Sequence, residues 1–333
     1  MNDNGSIRWG ILSAASIARG SFLPALRAAG DGKAAVVGAR DLRRAETFAA
    51  SEGVERAVEG YDAVLDDPSI DAVYVALPNS LHAEWTIRAM DANKVVLCEK
   101  PLCVSEAETE TVLRVAHESR ALLWEAFVFP FRRHFHRLRE IVTGGDIGDL
   151  LSIESNFHFQ LQGRANIRLM PELGGGALND VGCYCIHLAT LLFGRPPARG
   201  TALAQRAAEG VDEEIAGVLD FVDASTLIFS CGMSREQDTF CRIICSEGEV
   251  RLSNPFHPSP DDALEILCGG ETSVEHPSGP EPSFTAAIQH IHAVLREQEP
   301  PRHLATVDSL PTARGLQFAR DASLGRTPAR ELA

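Results

Sequence analysis

Residues 7–125 alternate between short apolar runs and amphipathic stretches, and this alternation constrains the fold more than any other feature. The apolar runs predict strands at 7–12, 33–39, 71–77, 95–98 and 121–124, and the amphipathic stretches predict helices at 17–29, from 41, at 81–92 and at 105–119. Strands that alternate with helices through short connections form a parallel, doubly wound sheet. The first half of the chain is therefore predicted to be α/β.

The first predicted strand ends in a turn of small residues, Ser13-Ala14-Ala15-Ser16, and a helix is predicted from Ile17. A dinucleotide phosphate loop needs small residues so that backbone N–H groups and the helix N-terminus approach the pyrophosphate. The G-x-G-x-x-G/A positions are here Ser13, Ala15 and Ala18, which are small but not glycine. The pattern fits a cofactor loop formed by Ser13, Ala15, Ser16 and Ile17, and it also fits a generic β–α turn.

The end of the second predicted strand, Gly38-Ala39-Arg40-Asp41, bears on the choice of cofactor. NAD enzymes place an acidic residue there for the ribose hydroxyl, whereas an arginine accommodates the 2′-phosphate of NADP. Arg40 stands at this place and Arg44 follows one helical turn later, while Asp41 is equally suited to cap the helix. The sequence thus favours NADP(H) over NAD(H).

Two further strand ends carry candidate residues. Pro101 cannot continue a central strand, so Glu99 and Lys100 lie where the Val95 strand ends. Ligands of open α/β sheets bind at that end, and a half-desolvated lysine there acquires useful chemistry; a surface ion pair is the alternative. After the 71–77 strand we assign Leu77, Asn79 and His82 to the cofactor, although His82 also suits packing at a helix start.

The composition changes after the helix predicted near 131–142. Alternating segments then follow one another at 153–161, 215–221, 225–231, 239–245, 249–252 and 263–267, and helices are predicted near 284–297 and 307–324. Strands in succession imply an antiparallel sheet, which leaves one face open. We predict domains at 1–128 and 129–333, with the C-terminal helix a candidate to pack back on the first, and we expect the open face to join subunits.

One helix in the second half has three glycines, 174–176, at its entrance. Glycines there allow a close backbone approach. Asp180, Tyr184 and His187 are spaced to share one helical face; we interpret Asp180 and Tyr184 as functional and His187 as a satisfied, partly buried polar residue. Arg168, just before the glycines, is either a substrate or cofactor contact or a surface residue.

The overall composition excludes several classes. A net charge of −15 over 333 residues argues against nucleic acid as partner. The eight cysteines form no spaced framework, so we expect no metal and reduced thiols in the cytoplasm. Apolar runs do not reach membrane-spanning length, and Met1–Gly5 does not resemble the start of a secretory signal.

The sequence resembles the Gfo/Idh/MocA family of NAD(P)-dependent oxidoreductases over essentially its whole length. The resemblance is carried by Trp9–Leu12, Asp71–Asn79 with His82, Glu99-Lys100-Pro101 and Gly174–Tyr184. It implies a Rossmann domain followed by an α+β domain whose large open, predominantly antiparallel sheet forms dimers or tetramers. Ser13 and Ala15 depart from the glycines of the family pattern but are still small.

The resemblance also implies that Lys100 and the residue four after Asp180 carry catalysis. Tyrosine at position 184 resembles the branch with sugar and aldose dehydrogenases, dihydrodiol dehydrogenases and deoxysugar 3-ketoreductases. A tyrosine phenol has a pKa of about 10, and a nearby lysine ammonium would lower it so that the phenol can transfer protons. Asp180 would orient the substrate, and Glu99 would fix Lys100 or contact the nicotinamide ribose.

We therefore expect hydride transfer between nicotinamide and a sugar or cyclic polyol. The alternatives are a nucleotide-sugar ketoreductase, an NAD-dependent glycosidase and a non-catalytic dinucleotide-binding regulator. Aromatic walls such as Phe157, Phe159 and Trp124 would favour a small substrate, and an arginine-lined cleft would favour a nucleotide sugar.

Overall fold

A computed structural model of the chain describes residues 5–163 and 165–326. Residues 1–4 lie outside the described residues, so most of the stretch on which the expectation about a secretory signal rests is not described. The described chain forms two compact units. Unit 1 comprises residues up to 103, 107–131 and 281–307, and unit 2 comprises 104–106, 132–280 and the residues from 308 onward. The first unit thus extends to Phe131, where the sequence places the boundary after residue 128.

Unit 1 is built on a parallel sheet, as predicted. Its described strands are β1 (Ile7–Leu12), β2 (Gly32–Ala39), β3 (Arg56–Glu59), β4 (Ala72–Val75), β5 (Val95–Cys98) and β6 (Leu123–Glu125). They lie in the order β3-β2-β1-β4-β5-β6, which is the doubly wound order of dinucleotide-binding folds. This order confirms the predicted Rossmann architecture. The edge strand β3 was not predicted.

The helices of unit 1 cover both faces of this sheet. They are α1 (Leu23–Ala29), α2 (Leu42–Glu52), α3 (Asp62–Leu65), α4 (His82–Asp91), α5 (Glu106–Ser119) and, from the C-terminal part of the chain, α8 (Thr285–Leu295). Successive residues of β1 point to opposite faces, because Trp9 and Ile11 pack in one core cluster and Leu12 in the other. Burial on both faces explains why the strands read as continuous apolar runs.

Helix α8 is tied to the first strands by a buried histidine. Trp9 Nε1–H donates to His292 Nε2 at 2.9 Å. The proton of His292 must then sit on Nδ1, where it is donated to Asp31. This chain of hydrogen bonds fixes the segment 281–307 in unit 1.

Unit 2 is built on a mixed, mostly antiparallel sheet. Its described strands are β7 (Leu150–Gln160), β8 (Arg199–Arg206), β9 (Asp212–Asp220), β10 (Thr226–Gly232), β11 (Ser234–Cys245), β12 (Gly248–Leu252), β13 (Leu264–Cys268) and β14 (Glu271–Glu275). Their order is β14-β13-β12-β11-β7-β10-β9-β8. Only β7 and β10 pair in parallel among these strands. The antiparallel expectation is thus confirmed for most of the sheet, and β8 and β14 were not predicted.

One face of this sheet carries helix α7 (Cys183–Phe193). Cys185 of the helix is fully buried and hydrogen-bonds Ser155 of β7, and Leu188 is also buried. Helices α6 (Arg133–Gly144) and α9 (Ala305–Ser323) are the remaining α-helices of the described chain. The opposite face leaves large apolar side chains exposed, among them Leu203, Ile228 and Phe240.

Among the described residues, the segment Pro171–Phe193 has the length and hydropathy of a membrane span. However, 78% of its apolar window is buried inside the protein. That burial is typical of a core helix, because a lipid-facing helix would present its apolar residues outward.

Candidate active site

In unit 1, the segment that carries Lys100 is held from several strand ends. Glu99, which is 8% exposed, accepts the hydroxyl hydrogen of Tyr74 from β4. Glu125 at the end of β6 is equally buried and accepts the N–H of Leu102 at 2.7 Å. Lys100 itself is partly exposed. Two buried carboxylates, Glu99 directly after β5 and Glu125 at the end of β6, therefore fix the chain on either side of Lys100.

His82 is buried beside the segment that carries Lys100. The side chain is fully buried, with Nδ1 2.7 Å from the carbonyl oxygen of Pro101 and Nε2 2.9 Å from that of Leu77. Burial lowers the pKa of His82, an effect that the two carbonyls oppose and the charge of Lys100 reinforces. This arrangement favours the packing interpretation of His82 over direct cofactor contact. Leu77 is buried as well, whereas Asn79 is partly exposed.

The turn after β1 is tight and connects the strand directly to a helix. Ser13 adopts a φ of 98° and donates its N–H to the Gly38 carbonyl at 2.9 Å. Ala15 is partly exposed and Ser16 and Ile17 are exposed, so this turn is accessible at the start of the helix. A π-helical segment, Ala18–Phe22, continues into α1. The small residues and the exposed N-terminal end of the helix are compatible with binding of a dinucleotide pyrophosphate.

Arginines border the adjoining cleft. Asp41 caps α2 by accepting the N–H of Arg44 at 2.9 Å, which confirms the capping interpretation. The guanidinium of Arg44 donates to the Ala14 carbonyl at 3.3 Å, and Arg40 is exposed at the start of the same helix. A cavity of about 310 Å³ is lined by Ala14, Arg19, Arg43, Arg44, Thr47 and Phe48. Sequence reasoning missed that Arg19 and Arg43 border this cleft, because they reach it from two different helices.

In unit 2, two of the three glycines serve close packing within the unit. A Cβ on Gly175 would lie 2.4 Å from the Arg168 carbonyl oxygen, and one on Gly176 would lie 2.4 Å from Asp212 Oδ1. Asp212 Oδ2 accepts the Leu178 N–H at 2.6 Å, and burial raises the pKa of this carboxyl. The helix entrance is therefore fixed by Asp212, a residue that sequence analysis did not single out.

Arg168 and Asp180 form one pair. Arg168 Nε lies 2.6 Å from Asp180 Oδ2, and the Arg168 backbone carbonyl accepts the Gly176 N–H at 2.9 Å. The Arg168 guanidinium also lies 5.8 Å from the centroid of the Phe159 ring. Asp180 falls within a π-helical segment, Leu178–Gly182, that precedes α7. Two residues that the sequence analysis named as separate site candidates thus form an ion pair in the structure.

Tyr184 is 6% exposed and sits among aromatic rings. Its ring centroid lies 5.4 Å from that of Phe157 and 5.2 Å from that of Phe256. Sequence analysis predicted Phe157 as a candidate wall but missed Phe256. Trp124, another predicted wall, is buried in unit 1, where its Nε1–H donates to the Arg302 carbonyl at 2.9 Å.

An exposed histidine, His257, also meets the Tyr184 ring, with 5.4 Å between the centroids. Sequence analysis missed it because it lies in a loop without periodic pattern. His187, by contrast, is 3% exposed and its Nδ1 lies 2.8 Å from Thr312 Oγ1, which confirms its interpretation as a satisfied polar residue. The described residues contain no cluster of potential metal ligands.

The strand order of unit 1 is that of the dinucleotide-binding class of proteins. Comparison with known protein families agrees with this assignment of the fold. Residues 7–127 match the oxidoreductase family with an NAD-binding Rossmann fold, and residues 135–251 match the GFO/IDH/MocA C-terminal domain. The chain belongs to the Gfo/Idh/MocA family, as the resemblance predicted.

Curated relatives of known name extend over most of the chain. D-xylose 1-dehydrogenase (NADP⁺) 2 of Haloferax volcanii is 33% identical over 88% of this chain and 90% of its own length. A dTDP-3,4-didehydro-2,6-dideoxy-α-D-glucose 3-reductase of Streptomyces violaceoruber is 35% identical over 87% of this chain and 83% of its own.

A solved structure shows the same fold. The 3-ketoreductase KijD10 of Actinomadura kijaniata, in complex with NADP and TDP-benzene, matches with a TM-score of 0.87 and 29% identity. The match covers 95% of this chain and 98% of that one.

Proposed function

We propose that this protein transfers a hydride between NADP(H) and a hydroxyl or keto carbon of a sugar or cyclic polyol. The observation that carries the proposal is the setting of Tyr184, which is packed among aromatic rings at the start of α7, directly after the π-helical segment that bears Asp180. Aromatic side chains beside a few placed polar groups are typical of the residues that line a small-molecule site. When bound, the nicotinamide supplies the hydride chemistry.

In this proposal Lys100 and Tyr184 act as one proton-transfer unit. Tyr184 Oη gives a proton to the substrate oxygen in reduction and accepts it in oxidation. Lys100 donates a hydrogen bond to the same oxygen, and its charge stabilises the phenolate. Asp180, oriented by Arg168, accepts a hydrogen bond from a substrate hydroxyl. Glu99 and Glu125 hold the backbone around Lys100 in place.

The preference for NADP(H) rests on the arginines beside the phosphate loop. Arg43 and Arg44 line the cleft next to Ala14, and Arg40 is exposed nearby. Asp41 caps α2 through Oδ1, which supports the preference because NAD enzymes use an acidic residue near this position for the ribose hydroxyls. The NADP⁺-dependent xylose dehydrogenase among the relatives supports the same choice.

A free sugar is the favoured substrate because Tyr184 is walled by Phe157 and Phe256. A nucleotide-sugar 3-ketoreductase is the second candidate. It is favoured by the partly exposed guanidinium of Arg168 near Phe159 and by the similarity to deoxysugar 3-reductases. A guanidinium is suited to bind a diphosphate.

The direct test follows NADPH absorbance across aldoses, cyclic diols, free keto-sugars and nucleotide-linked keto-sugars, in both directions. Turnover of a free sugar or diol supports the first candidate, and turnover restricted to nucleotide-linked substrates supports the second. Hydrolysis of an aryl glycoside to the sugar and the phenol, with no net change in NADPH, would point to a glycosidase instead. Absence of turnover on every class, with NADP(H) bound, would leave a dinucleotide-binding regulator.

We also propose that the open sheet face of unit 2 binds a second copy of the chain, in the cytoplasm. Leu203 is 83% exposed, and Ile228 and Phe240 are exposed nearby. These three line a hollow of about 480 Å³ on the face opposite α7. Exposed apolar patches of this kind mark interaction surfaces. The eight free thiols suit a reducing compartment.

A further inference from the structure

The loop between β12 and β13 places a polar ring against the proposed proton donor. His257 is exposed, and its ring centroid lies 5.4 Å from that of Tyr184 and 6.1 Å from that of Phe157. In both contacts the planes are inclined by 70°. Such edge-to-face packing is the favoured geometry for aromatic pairs, so the imidazole is held in a defined orientation beside Tyr184.

The backbone around His257 is fixed at several points. Asn254 Oδ1 accepts the His257 N–H at 3.2 Å, and Asn254 Nδ2 donates to the His257 carbonyl at 2.8 Å. Asp262 accepts the N–H of Ser259 at 2.7 Å and the hydroxyl of Ser253 at 2.9 Å. Burial opposes ionisation of Asp262, but these donors hold its pKa below the usual value. The Asp262 carboxylate is therefore charged, and its hydrogen bonds to Ser253 and Ser259 fix the backbone of the loop.

The other side of the loop is anchored from helix α6. His134, which is 3% exposed, donates its Nε2–H to the Pro255 carbonyl at 2.7 Å. The next residue, Phe256, is fully buried and stacks on Phe157 at 5.6 Å with 10° between the rings. A buried anchor on one side of an exposed histidine is the arrangement expected of a positioned contact residue. A surface histidine without a role needs no such support.

We propose that His257 is a substrate-contacting residue that hydrogen-bonds a second hydroxyl of the sugar, beyond the oxygen that Tyr184 protonates. This inference rests on the proposed function. An imidazole offers one N–H donor and one nitrogen acceptor, which matches a hydroxyl group that both donates and accepts. His257 therefore selects substrates that carry this hydroxyl over their deoxy counterparts, while the rings of Phe157 and Phe256 accept either.

The test compares wild type with His257→Phe, His257→Gln and His257→Ala, using an active sugar and its mono-deoxy analogues. Phenylalanine keeps the ring contact but removes both hydrogen-bonding atoms, whereas glutamine keeps a donor and an acceptor but removes the ring. For the Phe and Ala variants we expect kcat/KM on the hydroxylated sugar to fall about 10-fold. Their kcat/KM on one deoxy analogue should stay near wild type, so that the preference disappears.

His257→Gln should keep the preference within a few-fold of wild type. The exposed His276, which lies outside this loop, provides the control, and His276→Ala should not change either substrate. Thermal unfolding of each variant separates loss of folding from loss of recognition. If His257→Phe keeps the full preference, or if none of the three variants alters it, the inference is wrong while the proposed function stands. If wild type turns over no sugar at all, both fail together.

Discussion

Arg168 Nε donates to Asp180 Oδ2 at 2.6 Å, although the two residues belong to different local elements. The arginine side chain is 41% exposed and the aspartate side chain 14%. Asp180 is thus held in one orientation by a charged donor that remains accessible to a ligand. This arrangement suits a carboxylate that orients a substrate hydroxyl better than one that takes up a proton.

We predict that Arg168→Ala and Asp180→Asn each lower kcat/KM about 10- to 100-fold, the scale of one charge-assisted hydrogen bond. The double variant should be less impaired than the two effects combined, because the residues act as a pair. Steady-state kinetics on an active sugar measures this. Arg199→Ala, which breaks the exposed pair with Asp220 at 2.7 Å, is the control and should behave as wild type. Fully additive losses would mean that the pair has no joint role.

Replacing Arg40 by Ala should weaken NADP(H) binding by about 1–3 kcal/mol and leave NAD(H) nearly unchanged. Arg43→Ala and Arg44→Ala should act in the same direction, because both side chains border the cleft beside Ala14. Calorimetric titration of both cofactors measures this. Arg56→Ala, on the edge strand β3 and paired with Asp67, serves as control. Equal losses for the two cofactors would remove the assignment of the 2′-phosphate to these arginines.

The sequence predicted the sheet of unit 1 because burial on both faces leaves continuous apolar runs. It predicted most strands of unit 2 because a half-exposed strand alternates. The missed strands are edges with little apolar content, such as β3 and β14, or with an outward apolar residue, such as Leu203 in β8. At an edge, pairing depends on the neighbouring strand more than on the strand's own residues.

The candidate residues were predicted where they lie on a regular element or directly after one, as Tyr184 does in α7 and Lys100 does after β5. Contacts between distant segments left no signal in the sequence. Asp212 fixes the glycine-rich entrance from another strand, and His257 meets Tyr184 from a loop. The two π-helical segments, one after the phosphate loop and one around Asp180, likewise lack a sequence pattern. Such segments occur frequently at functional sites.

Acid should destabilise the protein through its buried histidines. Burial is the principal reason why the pKa is lowered at His82, His134, His158, His290 and His292. For His134 the pKa falls to about 4, whereas an unfolded histidine titrates near 6.5. Between these values the unfolded chain binds the extra proton. The contribution of His134 to the free energy of unfolding is therefore complete above about pH 6.5 and is lost as the pH falls through 4.

His134→Gln tests this for one residue, because the amide N–H can still donate to the Pro255 carbonyl but does not titrate. Between pH 6.5 and 4 the wild type should lose about 3 kcal/mol more unfolding free energy than the variant, since one pKa unit corresponds to about 1.4 kcal/mol. Urea unfolding at a series of pH values measures both. His117→Gln, on the exposed side of α5, is the control. Parallel pH profiles for wild type and His134→Gln would contradict the assignment.

Leu203→Glu should shift the protein toward monomer, because a charge at this exposed position opposes burial against a second copy. Light scattering at micromolar concentration measures the mass. Val307→Glu, which replaces an apolar residue that is 68% exposed on α9, is the matched control and should keep the wild-type mass. A wild type that is already monomeric would remove the proposed interface.

Tyr184→Phe keeps the ring among Phe157 and Phe256 and removes only the hydroxyl, so folding and NADP(H) affinity should survive. Turnover should fall by roughly 10²–10⁴, the range for a positioned acid or base. Lys100→Met should cost at least as much, because it removes both a hydrogen bond and the charge that stabilises the phenolate. If the two residues form one unit, the double variant should be scarcely worse than the worse single one. Single-turnover kinetics at saturating cofactor measures this. Near-full turnover in Tyr184→Phe would assign the proton to another group.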